Sequence, residues 1–191
     1  MPSLHQHLQP TIFLNPLVIL FVLGCVMMAS SCDDETQTKP EPPKYDISPN
    51  NTLWDFSMKF MDGNTVKATL SARRARLYAE RNESLVDTNV IAEFYSPYGN
   101  RVARLTADSA RVDNRTNNMW AYKNVRVVGD SSRTTLETSV LMWDNSRRKL
   151  TSDKYVKISR PGELIEGGVG FESDEDLRNY RIYQVKGVKA P

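Results

Sequence analysis

The clearest pattern in the chain is an alternation of apolar and polar residues between positions 101 and 128. The apolar positions of this pattern are Leu105, Ala107, Ala110, Val112, Trp120, Tyr122, Val125 and Val127. A period of two predicts β-strands with one buried face. The period slips after Ala107 and again after Tyr122, which indicates a bulge in each strand. With the polar cluster at 113–118 as the turn, the segment predicts a β-hairpin whose apolar stripe faces inward.

Similar segments lie on both sides of this hairpin. The equivalent positions Ala75, Ala110 and Val140 are 35 and 30 residues apart. Self-similarity at such a period indicates stacked copies of one structural unit. Because the unit here is a strand pair, the sequence predicts a chain of hairpins. Residues 71–80 alone have a composition that favours a helix, but their place in the repeat favours a strand.

Turn signals divide into two alternating sets. One set lies at 62–64, 97–100, 129–132 and 161–162, and the other at 80–83, 113–118, 144–148 and 173–176. Each set of turns marks one rim of the sheet. The long strands cross from one rim to the other, and each strand is bent in its middle, which predicts an all-β fold. We expect a twisted antiparallel sheet that folds over on itself as a β-jellyroll or β-taco. Arg104, Asp108, Arg111, Lys123 and Arg126 are expected on its outer face.

The N-terminal segment, residues 1–32, predicts a signal or anchor. Its first 31 residues contain no Lys, Arg, Asp or Glu, and Leu17–Met28 is an unbroken non-polar run. This run is shorter than the roughly 20 apolar residues of a membrane span, which favours a secretory signal. The sequence Ala-Ser-Ser-Cys ending at Cys32 resembles a bacterial lipoprotein cleavage box, so Cys32 is the expected lipid attachment site. Cys25 is an alternative site, and an uncleaved anchor is an alternative fate.

Residues 33–52 predict a linker, because the Pro-rich run at 39–43 favours an extended, semi-rigid conformation. Residues 53–188 then form one domain with room for a modest core.

Composition excludes several classes of function. The formal net charge is only +2, without a basic block, so nucleic acid is not an expected partner. Beyond Cys32 the sequence contains no Cys and no His, which removes Cys–His and Ser–His catalysis and the usual zinc sites. Asp113, Asp144 and Asp174 fall in predicted turns, where Asp is favoured for local hydrogen bonding. We therefore expect neither an enzyme nor a metal or cofactor; a carboxylate hydrolase is the remaining catalytic alternative.

An open folded sheet has two consequences for function. Small inward residues such as Ala72, Ala75, Ala107 and Ala110 leave room for an apolar groove that admits acyl chains, although an ordinary packed core fits the same pattern. The two edge strands leave backbone groups unpaired, which favours strand addition by a protein partner.

The unit Leu-x-Ala-x-x-Ala-x-x, present at Leu70–Leu77 and Leu105–Val112, resembles the repeat of the LptC family of lipopolysaccharide export. The tail from Gly167 to Gly187 is similar to the closing segment of that family. The resemblance implies a twisted β-jellyroll that transiently binds lipopolysaccharide acyl chains without catalysis. It implies a place on the periplasmic side of the inner membrane, between an ABC transporter and an LptA-like bridge protein. Well-known members keep a transmembrane helix, whereas a lipoprotein box would also allow an outer-membrane location.

The C-terminal strand carries apolar side chains on both faces, which is typical of a central strand or of one that awaits a partner. These side chains are Tyr180, Ile182, Tyr183 and Val185. The resemblance favours this strand as the docking edge for the bridge protein, with the strand at 53–60 as the alternative. The alternative function is a structural or surface lipoprotein that binds proteins through its sheet edges and does not handle lipid.

Overall fold

The computed structural model describes residues 48–187, of which 163–166 are described by their backbone alone. The strands are β1 Asn51–Asp62, β2 Thr65–Tyr78, β3 Glu83–Tyr95, β4 Arg101–Asp113, β5 Met119–Gly129, β6 Thr135–Asp144, β7 Lys149–Arg160, β8 Glu163–Asp174 and β9 Tyr180–Val185. They form one antiparallel sheet in which spatial order follows sequence order. The predicted all-β fold is confirmed, and residues 71–78 are strand rather than helix. Among the described residues, no helix has the length and apolar character needed to cross a membrane.

The turns lie where the sequence predicts them, and their aspartates act locally. Asp113 Oδ1 accepts hydrogen bonds from the backbone amides of Arg115 at 2.8 Å and Thr116 at 3.0 Å. Asp144 Oδ1 accepts from the amide of Arg147 at 3.0 Å and from the hydroxyl of Ser146 at 2.7 Å. These bonds favour the charged carboxylates, so the pKa of Asp113 and that of Asp144 are both lowered.

The predicted mid-strand slips are β-bulges that lie next to one another across the sheet. The pairing register shifts after Asp87 in β3, after Thr106 in β4 and after Tyr122 in β5. The bulge in β3 places Thr88 and Asn89 at φ of 65° and 57°, and β5 has the same feature at 123–124. Consecutive left-handed residues bend a strand sharply, so the sheet has a line of bending that crosses its strands. We call it the bulge line.

The core lies between two halves of the folded sheet. The ring of Trp143 in β6 contacts the ring of Phe60 in β1 with centroids 5.1 Å apart and that of Phe94 in β3 at 5.5 Å. β6 is a ladder neighbour of neither β1 nor β3. These contacts therefore require the sheet to fold over, as the sequence predicts.

The predicted inward stripe is correct for β4 and wrong for the first half of β5. Met119 and Ala121 are buried, whereas Trp120 lies opposite Arg111 on the outer face. The Arg111 guanidinium lies over the Trp120 ring, 4.1 Å from its centroid. Tyr122 follows Trp120 on the outer face, where it pairs with Ser109 and is 9% exposed.

Candidate functional site

The inner face of the sheet carries one connected cluster of buried apolar residues. Leu105, Ala110, Val112, Val125 and Val127 lie on it and are at most 2% exposed, and Ala107 packs against the same core while partly buried. The described core also includes seven alanines, at positions 68, 72, 75, 92, 103, 110 and 121. Small residues let the two halves of the sheet approach closely. The interior is therefore packed in this conformation, and an acyl chain enters it only if the halves separate.

The two rims of the sheet meet opposite the bulge line. Lys67 Nζ donates to the carbonyl oxygen of Asn145 at 3.4 Å, and Ser132 Oγ donates to that of Asp176 at 2.7 Å. A guanidinium nitrogen of Arg148 donates to the carbonyl oxygen of Tyr95 at 2.5 Å. Each bond joins strands or turns that are not neighbours in the sheet. We call this line of contacts the seam.

A buried carboxylate lies at the centre of the seam. Glu175, in the turn between β8 and β9, is 5% exposed. Its Oε1 accepts a hydrogen bond from Trp143 Nε1 at 2.8 Å, and its Oε2 pairs with the guanidinium of Arg148. Burial raises the pKa of Glu175, while the bonds from Trp143 and Arg148 oppose that rise. Glu175 therefore links the β8–β9 turn to β6 and, through Arg148, to β3.

The outer face carries a groove of about 1240 Å³ along the bulge line. Tyr122 and Leu85 form part of its lining. Arg74 donates to both oxygens of Asp87, at 2.8 and 2.9 Å, and Arg76 donates to the same carboxylate at 3.0 Å. Burial raises the pKa of the Tyr122 hydroxyl. Its lining also includes Val86, Val90, Ala107 and Ala110, which belong to or pack against the core, so charged pairs and apolar side chains meet at the bulge line.

The C-terminal edge of the described sheet is β9, which pairs with β8 alone. Tyr180 and Ile182 pack against the core, and the rings of Tyr180 and Phe171 are 6.4 Å apart. Tyr183 and Val185 are 59% and 53% exposed. Glycines of β8 bring the strands close, because a Cβ on Gly168 would lie 2.0 Å from Ile182 Cγ2. Of the predicted edge residues, Tyr180 and Ile182 therefore belong to the packing of the core, whereas Tyr183 and Val185 form an exposed apolar surface.

The N-terminal edge is β1, which pairs with β2 alone within the described sheet. It exposes three large apolar side chains: Leu53 at 41%, Trp54 at 66% and Met61 at 48%. Exposed apolar side chains on a strand with a free edge are typical of a protein interface.

Sequence patterns did not identify Glu175 and Arg148 as partners. They are separated by 27 residues and come from different turn clusters, so neither periodicity nor motif spacing connects them. The predicted lipid attachment site, Cys32, lies outside the described residues.

An apolar interior between the halves of a folded antiparallel sheet, closed by a seam of side-chain contacts, defines an all-β domain of the jellyroll type. The chain matches the family model for lipopolysaccharide-assembly, LptC-related proteins over residues 17–190. It belongs to that family, and membership implies a role in lipopolysaccharide transport with components of the transport complex. The family is one of transport components and suggests periplasmic association with the inner membrane. A search of curated proteins found no match.

Proposed function

We propose that this protein receives lipopolysaccharide from an inner-membrane ABC transporter and passes it to a periplasmic LptA-like bridge protein. The acyl chains lie against the inner face while the transporter supplies the energy. The observation that carries the proposal is the single apolar cluster of the inner face, which extends from Phe60 in β1 to Phe171 in β8. Burying one methylene contributes about 0.8 kcal/mol, so even partial burial of an acyl chain stabilises the complex.

We assign the two edges to different partners. The linker joins the sheet at β1, so the exposed Trp54 and Leu53 are assigned to the membrane-embedded transporter. The exposed Tyr183 and Val185 on β9 are assigned to the bridge protein. Within residues 48–187, β1 and β9 each have a single ladder neighbour, and the outer backbone groups of such strands allow the sheet to continue into a partner.

The proposed anchor is a lipid on Cys32, which holds the domain at the periplasmic side of the inner membrane. Mass spectrometry of the mature N-terminus tests this assignment. A diacylglyceryl group on Cys25 would move the site, and an intact N-terminus with unmodified Cys32 would indicate a retained anchor.

A photo-crosslinking amino acid tests lipid transfer. At Leu105, which is 1% exposed and belongs to the core, the probe faces the inner surface. At Arg104, on the same strand, it faces outward and serves as the matched control. We expect lipopolysaccharide adducts at Leu105 and not at Arg104 in cells with an active transporter. Protein adducts alone, at both positions, would support the structural lipoprotein instead.

A further inference from the structure

The inner face can be reached in two physically different ways. Separating adjacent strands breaks a backbone ladder, such as the β4–β5 ladder that runs from Ala103 to Val112. Separating the two rims breaks the seam, where the described contacts are side-chain hydrogen bonds, ion pairs and apolar packing. In the described sheet, every backbone ladder joins strands that are consecutive in sequence, so opening the seam leaves all of them paired.

We infer that the seam is a lateral entrance to the apolar interior and that Glu175, Arg148 and Trp143 are its latch. In this inference, which rests on the proposed function, acyl chains enter between the rims, and the turns at 145–148 and 175–179 move away from Tyr95 and Ser132. The bulge line is the hinge.

The chemistry of the latch suits repeated opening. The Glu175 side chain is 5% exposed and that of Arg148 is 29% exposed, so the ion pair is partly buried and carries a desolvation cost that offsets much of its attraction. When the rims separate, Glu175 and Arg148 regain water, and this hydration offsets the loss of their mutual contact. An apolar latch would gain nothing from exposure to water. The ion pair therefore holds the closed state in one geometry without making the open state inaccessible.

The hinge has its own structural basis. Ladder pairing is interrupted between Asp87 and Val90 in β3 and between Tyr122 and Val125 in β5. Similar interruptions occur in β2, β4, β6 and β7. Residues that make no ladder hydrogen bonds can change their backbone dihedral angles without breaking such bonds. The halves of the sheet can therefore rotate about the bulge line while each keeps its pairing.

A disulfide clamp tests the entrance. Ser132 Oγ lies 2.7 Å from the backbone carbonyl oxygen of Asp176, so the two residues face each other across the seam. The variant is Ser132→Cys/Asp176→Cys, and mass spectrometry verifies that its disulfide has formed before binding is measured. Beyond Cys32 the natural sequence has no other cysteine. The control is Arg126→Cys/Glu137→Cys, which joins two register partners within the β5–β6 ladder and leaves the seam free. The readout is binding of fluorescent lipopolysaccharide before and after oxidation.

We expect oxidation of the seam clamp to weaken binding by about tenfold or more and reduction to restore it. The control clamp should bind equally in both states. Undiminished binding by the fully oxidised seam clamp would overturn the entrance. If the natural protein and every variant fail to bind lipopolysaccharide, the proposed function is wrong. Hydrogen exchange then tests separately whether the seam opens.

Hydrogen exchange reports the latch without any lipid. Glu175→Gln removes the charge of the latch, and Glu137→Gln removes an outer-face carboxylate that is 46% exposed and also paired with an arginine. We expect Glu175→Gln to speed exchange at the buried turn residue Leu177 by about tenfold while Ala92, in a central ladder, is unchanged. Glu137→Gln should alter neither. Equal acceleration at Leu177 and Ala92, or none at Leu177, would show that the seam is not a separate opening unit.

Discussion

Trp143 and Glu175 join distant parts of the chain through one hydrogen bond of 2.8 Å, from the indole Nε1 to the carboxylate Oε1. The same indole ring packs on Phe60 and Phe94. The contact therefore couples the apolar core to the ion pair that closes the seam.

The first prediction concerns the stability of this ion pair. Arg148→Met leaves a carboxylate that is 5% exposed without its cation, and we expect it to lower the free energy of unfolding by about 3 kcal/mol. The double variant Arg148→Met/Glu175→Leu should lose less than the sum of the two single variants, because no unpaired charge remains. Urea denaturation measures all four proteins. Additive losses would mean that the two residues do not interact energetically.

The second prediction concerns the packed interior. Ala110 is 1% exposed, so Ala110→Arg forces a charge into a closed core and should cost several kcal/mol. Arg104→Ala changes an exposed residue of the same strand and should change stability by less than about 0.5 kcal/mol. Thermal unfolding compares the two. A well-folded Ala110→Arg variant would mean that the interior opens readily even without ligand.

The third prediction concerns acid stability. The pKa of Asp144 is lowered from its ordinary value of 3.8 by the bonds it accepts in the β6–β7 turn. The unfolded chain therefore takes up the proton at a higher pH than the folded chain does. The stability that the charged form supplies is present above pH 3.8 and is lost as the pH falls through the folded-state value. Melting curves of Asp144→Asn should be less sensitive to acid in this range, and an unchanged dependence would contradict this role.

The fourth prediction concerns the C-terminal edge. Val185 lies in β9, which has β8 as its sole ladder neighbour in the described sheet, so Val185→Pro should leave the fold intact. We expect it to abolish pull-down of the bridge protein, because proline removes a backbone donor and disrupts strand addition. Val185→Ala, which keeps that donor, is the matched control. Retained pull-down by the proline variant would move the docking edge to β1.

Local patterns predict most of this fold because each strand pairs with its neighbour in sequence. Hairpins, rims and bulges are therefore visible in a window of about 30 residues. The face of β5 that points inward could not be predicted in this way, because Met119, Trp120, Ala121 and Tyr122 are four consecutive apolar residues. Such a run has no period. Packing determines which face points inward. Ala121 lies opposite Ala110 on the inner face, and the Trp120 ring lies under the Arg111 guanidinium on the outer face.

The seam could not be predicted from the sequence for a different reason. Its contacts join residues as far apart as Lys67 and Asn145, with a separation of 78 positions. Only the three-dimensional fold brings them together, and a buried Glu has no sequence signature that separates it from the exposed acids of neighbouring turns.

The order of strands in the sheet also has a consequence during synthesis. Each described strand pairs with its neighbour in sequence, so each hairpin can form as soon as its second strand has been synthesised. The Lys67–Asn145 and Arg148–Tyr95 contacts of the seam can form once Arg148 has been synthesised, but the ion pair and the indole hydrogen bond require Glu175. Until Glu175 has been synthesised, the seam is incomplete. A chain stalled before the β8–β9 turn would thus hold eight of the nine described strands behind an incomplete seam, and transient exposure of its apolar interior would favour aggregation.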